Sequence, residues 1–379
     1  MVQGTTQYFA SALDPAIAET LLAWVQDFPQ AAVLALVAEA NQGEVAALQR
    51  QCNEARLPLL GGIFPALLDG VGFKSQGVLL LRLDQAPVYR IVEGLSTGVP
   101  GNDALIEVMA TVAASLEDGQ DKGTLLMIFD AMVPTIESWL AALYRRIGRR
   151  VHYLGVSAGS ETFQPMPCLF DNRRLVQDAV LIAALAKMPG GVLEHGYQPP
   201  EKMITATATK GNRIMSIDWR PALAVYSELA RNEYGVDITA ENFYQYGVHF
   251  PFGVVRASGE VLVRIPVAID DDGALFCIGE TPENAILTLL RAESVDQLQT
   301  VNRLVQDLGD IRSNSVLTFY CAGRRMHDPQ RATEELALLV QRLPASLAGA
   351  LSLGEIGSSS RDGYPLFHNA TLICADWPD

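Results

Sequence analysis

One unit recurs three times along this chain of 379 residues, and that recurrence limits the fold more than any other feature. A short apolar run, a helix-spaced segment, a second apolar run that meets glycine, a loop and a closing apolar run follow in the same order. In the first copy, residues 32–38 are continuously apolar, 42–55 have helical spacing, 57–60 run into Gly61-Gly62, and 78–83 close the unit. The second copy uses residues 124–129, 134–147, 151–154 leading into Gly155, and 179–185; the third uses 316–320, 329–342, 350–353 leading into Gly354, and 368–375. Runs this apolar suit strands buried on both faces, because neither face meets water. Right-handed crossovers between such strands build layered sheets. The expected fold class is α/β, with layered mixed sheets built from repeated strand-helix-strand units.

The glycines align as Leu60-Gly61-Gly62, Leu154-Gly155-Val156 and Leu353-Gly354-Glu355. Two loops also end alike, in Leu169-Phe170-Asp171-Asn172 and Leu366-Phe367-His368-Asn369. Glycine where a strand ends lets the backbone turn sharply or approach a ligand. Three such turns at one place in the unit predict a shared edge, and loops at one edge of a sheet are where pockets form.

A different pattern lies between the second and third units. Residues 206–217 read as a hairpin turning at Gly211-Asn212, and Arg220-Pro221 opens a helix through about residue 230. Residues 260–265 and 274–278 then read as strands around the turn Asp270-Asp271-Asp272-Gly273, which gives an antiparallel meander in the C-terminal half. The three aspartates lack the alternating ligand spacing of a calcium loop and read as a solvated hairpin tip. Pro189-Gly190-Gly191 and Pro199-Pro200 break the chain, so the expected halves are residues 1–195 and 196–379.

Charge and cysteine usage exclude several function classes. A formal net charge of −15 opposes binding to phosphate backbones or anionic membrane surfaces, which need clustered Lys and Arg. No run of about 18 apolar residues is present, and Met1-Val2-Gln3-Gly4 lacks a basic segment followed by an apolar one. The expectation is a cytoplasmic protein with no nucleic acid and no membrane among its partners. The five cysteines are widely spaced and form no C-x-x-C, against a disulfide framework or a zinc knuckle.

The stretch Tyr244-Gln245-Tyr246-Gly247-Val248-His249-Phe250-Pro251-Phe252-Gly253 gathers four aromatic residues around one histidine. Pro251 discourages an ordinary helix there. Such an imidazole can present a nitrogen to a ligand, or simply pack in a core loop. Gly155-Val156-Ser157-Ala158-Gly159 matches the nucleophile-elbow pattern G-x-S-x-G, but that elbow needs a helix after its serine, and Pro165 and Pro167 make the following segment a loop. The expectation is no enzyme.

Gly191 to Pro199, Thr205 to Thr209, Gly211-Asn212-Arg213 and Asp218-Trp219-Arg220-Pro221-Ala222-Leu223-Ala224-Val225-Tyr226 resemble the junction of paired FIST N-terminal and C-terminal sensory domains. Gly354-Glu355-Ile356 and Phe367-His368-Asn369-Ala370-Thr371 are similar to that family's closing motif. Tyr197 departs from the Trp common after the His-Gly pair but stays aromatic. The resemblance spans roughly residues 31–375 and implies two FIST halves that sense a small ligand in signal transduction.

The resemblance further implies a sharp form and a runner-up. Stand-alone members include a group resembling haem-dependent nitric oxide sensors that regulate a separate histidine kinase or diguanylate cyclase, as in a two-component system. Haem iron needs an axial ligand, most often a neutral imidazole, in an apolar cavity. His249 is the expected iron ligand, with Tyr246, Phe250 and Phe252 beside the macrocycle. His195 and His368 are the other candidates, and His152 and His327 are weaker. Without C-x-x-C-H, such a haem is b-type and non-covalent. The runner-up is an amino-acid or other small-metabolite sensor without haem, using Glu355, Arg264 and the glycine-turn amides.

Overall fold

Three strands, β2 (Ala32–Ala38), β8 (Thr124–Asp130) and β22 (Ser315–Cys321), have every side chain buried. Each is the middle of a sheet with cover on both sides. In the computed structural model, which describes residues 4–98, 103–116, 122–257 and 259–378, the sheets around these strands share one plan. Met1-Val2-Gln3, read above for a leader, lie outside the described residues.

The first sheet contains β1 (Thr6–Phe9), β2, β3 (Leu59–Phe64) and β6 (Val78–Leu83). The second contains β7 (Tyr89–Glu93), β8, β9 (His152–Ala158) and β12 (Ala179–Leu185). The third contains β13 (Gly191–Glu194), β22, β23 (Ser346–Ser352) and β26 (Leu372–Trp377). In each, the two strands joined by a helical crossover are parallel, the closing strand pairs antiparallel with the first of them, and the strand that opens the repeat pairs with the closing strand.

The free edge of each parallel pair is covered by a hairpin from another repeat. The hairpin β4 (Leu67–Asp69) and β5 (Gly72–Lys74) leaves the first repeat and pairs with β23 of the third. The hairpin β10 (Leu169–Asp171) and β11 (Leu175–Val176) leaves the second and pairs with β3 of the first. The hairpin β24 (Glu355–Gly357) and β25 (Leu366–His368) leaves the third and pairs with β9 of the second. The exchange is cyclic and ties residues on both sides of position 195 into common sheets.

Alternation along the strands builds the core. In the second sheet Leu126 and Ile128 face a central cluster shared with Leu34 and Ile63 of the first sheet and Leu317 and Phe319 of the third. Leu125, Met127 and Phe129 face outward onto α3 (Asp103–Ala114) and α4 (Ile136–Ile147). Helices α1 (Ala16–Asp27) and α2 (Val45–Glu54) cover the first sheet, and α7 (Gln297–Leu308) and α9 (Pro329–Arg342) cover the third. The Asp328 side chain accepts from Gln330 and Arg331 N–H, with Pro329 in the first turn, which fixes the start of α9.

Between β13 and α7 an eight-stranded antiparallel sheet interrupts the third repeat. Its strands are β14 (Ile204–Lys210), β15 (Arg213–Ile217), β16 (Arg220–Pro221), β17 (Phe252–Val255), β18 (Val261–Arg264), β19 (Pro266–Ile269), β20 (Leu275–Cys277) and β21 (Ile286–Leu289). Helix α5 (Ala222–Tyr234) packs on it over a separate core, and α6 (Phe243–Tyr246) is a single turn at its side. The protein is thus mixed α/β, with the expected antiparallel sheet in its C-terminal half.

The glycines differ from the expected turns. Strand β3 runs on past Gly61 and Gly62, and β9 past Gly155, so these lie inside strands and turn nothing. A Cβ on Gly61 would overlap the Ala35 carbonyl oxygen, and one on Gly155 would lie 2.6 Å from that of Met127. The third equivalent is Gly349, whose Cβ would overlap the Thr318 carbonyl; Gly354 stands outside β23, at φ +153°. Each in-strand glycine lies opposite a bulky residue of the exchanged hairpin, Phe170 to Gly61, Ile356 to Gly155 and Leu68 to Gly349. The two similar loop endings are likewise not equivalent, because Phe170 lies on the first strand of its hairpin and Phe367 on the second.

Candidate functional site

Parallel strands end in a common direction, and loops leaving those ends leave room for a ligand. The inserted sheet closes over the carboxyl ends of β22, β23 and β9 and leaves a narrow cavity whose empty volume, counted together with adjoining solvent, is about 500 Å³. Its walls are Ile265, Pro266 and Val267 on the inserted sheet, Phe163 from the loop after β9, Leu353 after β23, and Met326 on α8 (Ala322–His327). Tyr244 and Val248, from the aromatic stretch, form the remaining side. A Cβ on Gly323 would lie 2.6 Å from Ile265 Cδ1, so glycine is what lets α8 approach the inserted sheet.

Cys321 lines this cavity and connects it to a polar cluster underneath. Glu355 is wholly buried; its two carboxylate oxygens accept from Ser352 Oγ at 2.6 Å and Thr371 Oγ1 at 2.5 Å. The Cys321 thiol also donates toward this carboxylate. Burial raises the Glu355 pKa to about 7, and it pushes the Cys321 thiol up to about 12. Cys321 is therefore a neutral thiol that offers a weak polar contact, and Glu355 changes charge near neutrality.

The expected site residues do not converge. Tyr197 N–H donates to His195 Nδ1 at 2.9 Å, which leaves the ring proton on Nε2 to donate to the Val261 carbonyl at 3.0 Å. Both His195 nitrogens are spent. His368 is buried with neither ring nitrogen in a hydrogen bond of ordinary geometry, and a backbone contact with Gly357 acts to raise its pKa. Burial, with His195 adding to it, holds its pKa well below the usual range. His249 Nδ1 is 2.5 Å from His327 Nδ1. Its aromatic neighbours disperse: Phe250 stacks on Tyr234 with centroids 5.2 Å apart, Phe252 packs on Tyr226 at 5.3 Å, and only Tyr246 keeps an edge toward His249, at 6.3 Å. The Phe rings turn inward because they belong to the core of the inserted sheet, and Tyr226 OH bonds the Phe250 carbonyl there.

A haem needs a histidine nitrogen opening into an apolar cavity. His195, His249 and His368 are all absent from the lining of the cavity beside Cys321, and its charged lining residue is the carboxylate Glu161, opposite in sign to what propionates require. The residues lining this cavity do not fit that group. Arg264 and Glu355, paired in the runner-up reading, also lie apart: Arg264 lines a second, larger cavity against α4. Ser157 lies within β9, fully buried, and no helix follows it before β10. Cys321, Phe163 and Met326 were not anticipated; the signal available for Cys321 was its place at the end of a buried parallel strand.

Comparison with known families gives two matches. The FIST N domain matches residues 7–220, and the FIST C domain matches residues 222–358. No curated protein matches the chain.

Proposed function

Because the chain belongs to the FIST family, whose domains are sensors of small ligands in signal transduction, we propose that it senses a small, mostly apolar metabolite bound in the cavity beside Cys321. The observation that carries this reading is the origin of the walls. They come from the second repeat, the third repeat and the inserted sheet, so a ligand filling the space bears on three separately anchored elements at once. One polar group on the ligand would meet Cys321, and through it Glu355. The chain acts without catalysis, as a cytoplasmic protein whose output passes to a separate histidine kinase or diguanylate cyclase. Among the described residues no helix is long and apolar enough to cross a membrane.

A thermal-shift screen of small apolar metabolites tests the proposal, using the wild type and Val248→Trp, which fills the cavity mouth. Compounds that raise the melting temperature saturably in the wild type alone support it. Stabilisation that persists in the variant, or none from any compound, rejects it.

A haem-dependent nitric oxide sensor is the second reading. Its support is His249, because an imidazole held through Nδ1 by a neighbour is the arrangement that orients a metal-binding Nε2. A Soret band on reconstitution that is lost in His249→Ala would establish it over the metabolite reading.

A further inference from the structure

A second cavity, whose empty volume together with adjoining solvent is about 1050 Å³, lies between α4 and the inserted sheet. Its floor is an ion-pair network. Glu137 Oε1 accepts from Arg264 Nη2 at 2.6 Å and from Glu280 N–H at 2.9 Å. Arg264 is 2% exposed and otherwise committed to backbone, donating to the carbonyls of Glu280, Val263 and Phe367. The Glu280 carboxylate accepts from Ser138 N–H and Oγ at 2.8 and 2.7 Å.

Two polar atoms in this floor are left over. Glu137 Oε2 and the Thr281 hydroxyl are both buried and have no hydrogen-bond partner. Thr281 is 2% exposed and, like Glu137, lines the cavity. A buried acceptor without a partner is costly, more so on a carboxylate. Burial raises Glu137 to about 7 against the pull of Arg264, with Glu280 adding to the rise. The floor thus holds two carboxylates around one guanidinium that is already spent. Arg256, the other cation of the lining, is exposed and makes no hydrogen bond to Glu137 Oε2, which is left without a charged donor. Above the floor, Val254, Leu262, Tyr364 and Phe367 supply an apolar wall.

We propose that this cavity binds a small organic ammonium, its N–H groups donating to Glu137 Oε2 and Thr281 Oγ1 and its hydrocarbon part resting on the wall of Tyr364 and Phe367. This site is separate from the cavity beside Cys321 and takes a ligand of different chemistry. Because α4 belongs to the second repeat, such a ligand fastens the inserted sheet to it.

Calorimetric titration of the full chain with phenethylamine at pH 8, where Glu137 is ionised, tests the proposal, with 2-phenylethanol and phenylacetate as neutral and anionic counterparts. Saturable binding of the amine alone is expected, weakened about tenfold or more in Thr281→Val and in Glu137→Gln, as loss of a charge-assisted hydrogen bond requires. Binding persists in Val248→Trp, which separates this site from the first cavity. No saturable heat, equal binding of phenylacetate, or unchanged affinity in a folded Thr281→Val protein would overturn it.

Discussion

His249 and His327 meet through their Nδ1 atoms, 2.5 Å apart, so one ring donates and the other accepts. The pair tolerates one proton between the two nitrogens and is broken when both rings are charged. Burial lowers both pKa values, that of His327 to about 4, with His249 adding repulsion there and Asp328 and Glu293 opposing it. The folded protein therefore binds fewer protons than the unfolded chain between about pH 4 and the ordinary imidazole value of about 6.5. Stability is fully present above that window and falls as the pH drops through it. His327→Gln should show a shallower loss between pH 7 and 5 in urea unfolding than the wild type. Parallel curves would mean the pair contributes nothing.

Glu355 has the opposite sign. Its folded pKa, raised to about 7 by burial, means that the folded state holds a proton the unfolded chain releases near 4.3. This contribution is present below the unfolded value and is lost as the pH rises to about 7. Glu355→Gln keeps the neutral shape and should flatten that loss, so the variant gains on the wild type between pH 5 and 8. Denaturant midpoints at the two pH values measure it, and a variant that loses ground at pH 8 would show the carboxylate to be needed in its charged form.

The in-strand glycines form a set. Adding a methyl group at Gly61, Gly155 or Gly349 drives it into a neighbouring strand's carbonyl, whereas Gly43 has nothing within 4 Å of the added atom. Each of the first three alanine variants should lose about 3 kcal/mol or more, and Gly43→Ala should stay within about 0.5 kcal/mol. Equilibrium unfolding decides, and a mild Gly349→Ala would break the equivalence of the three repeats.

Arg324 and Glu335 form a buried pair, 2.6 Å between Nη2 and Oε1, with Tyr320 OH and Arg324 Nε also on the carboxylate. Glu335→Ala leaves the guanidinium buried without its counter-charge and should cost about 3–5 kcal/mol. A chemical unfolding curve within about 1 kcal/mol of the wild type would show that water reaches the site.

Trp219 is 86% exposed with φ +59°, next to Asp218 at φ +48°. A tryptophan in the left-handed region costs about 1–2 kcal/mol, part of which glycine returns as unfolded-chain entropy. Trp219→Gly should therefore melt at or slightly above the wild-type temperature. A clear drop would reveal a contact for the indole.

Where one physical signal dominated, the sequence was legible. The strands at 32–38, 78–83 and 179–185 and the helix at 329–342 coincide with the structure because continuous burial, and an Asp-Pro start, leave few alternatives. The glycine phase of the third repeat was misread because Gly349 and Gly354 both follow apolar residues, and only register against Thr318 separates them. The aromatic stretch misled for a related reason. Adjacency in sequence placed Phe250 and Phe252 around His249, but strand alternation and the anchor on Tyr226 send those rings elsewhere. The exchanged hairpins, and with them the cavity beside Cys321, depend on pairings between residues hundreds of positions apart, which no local pattern encodes.

The exchange also has a consequence during synthesis. A chain emerging from the ribosome completes the strands of its second sheet at Leu185, yet the hairpin that covers β9 begins only at Glu355. Until then β9 offers an unpaired edge, the kind of surface on which nascent chains pair wrongly with one another. The protein cannot seal itself domain by domain; the hairpin that opens at Glu355 is the clasp that closes the cycle, and premature termination would release a sticky fragment in place of a smaller sensor.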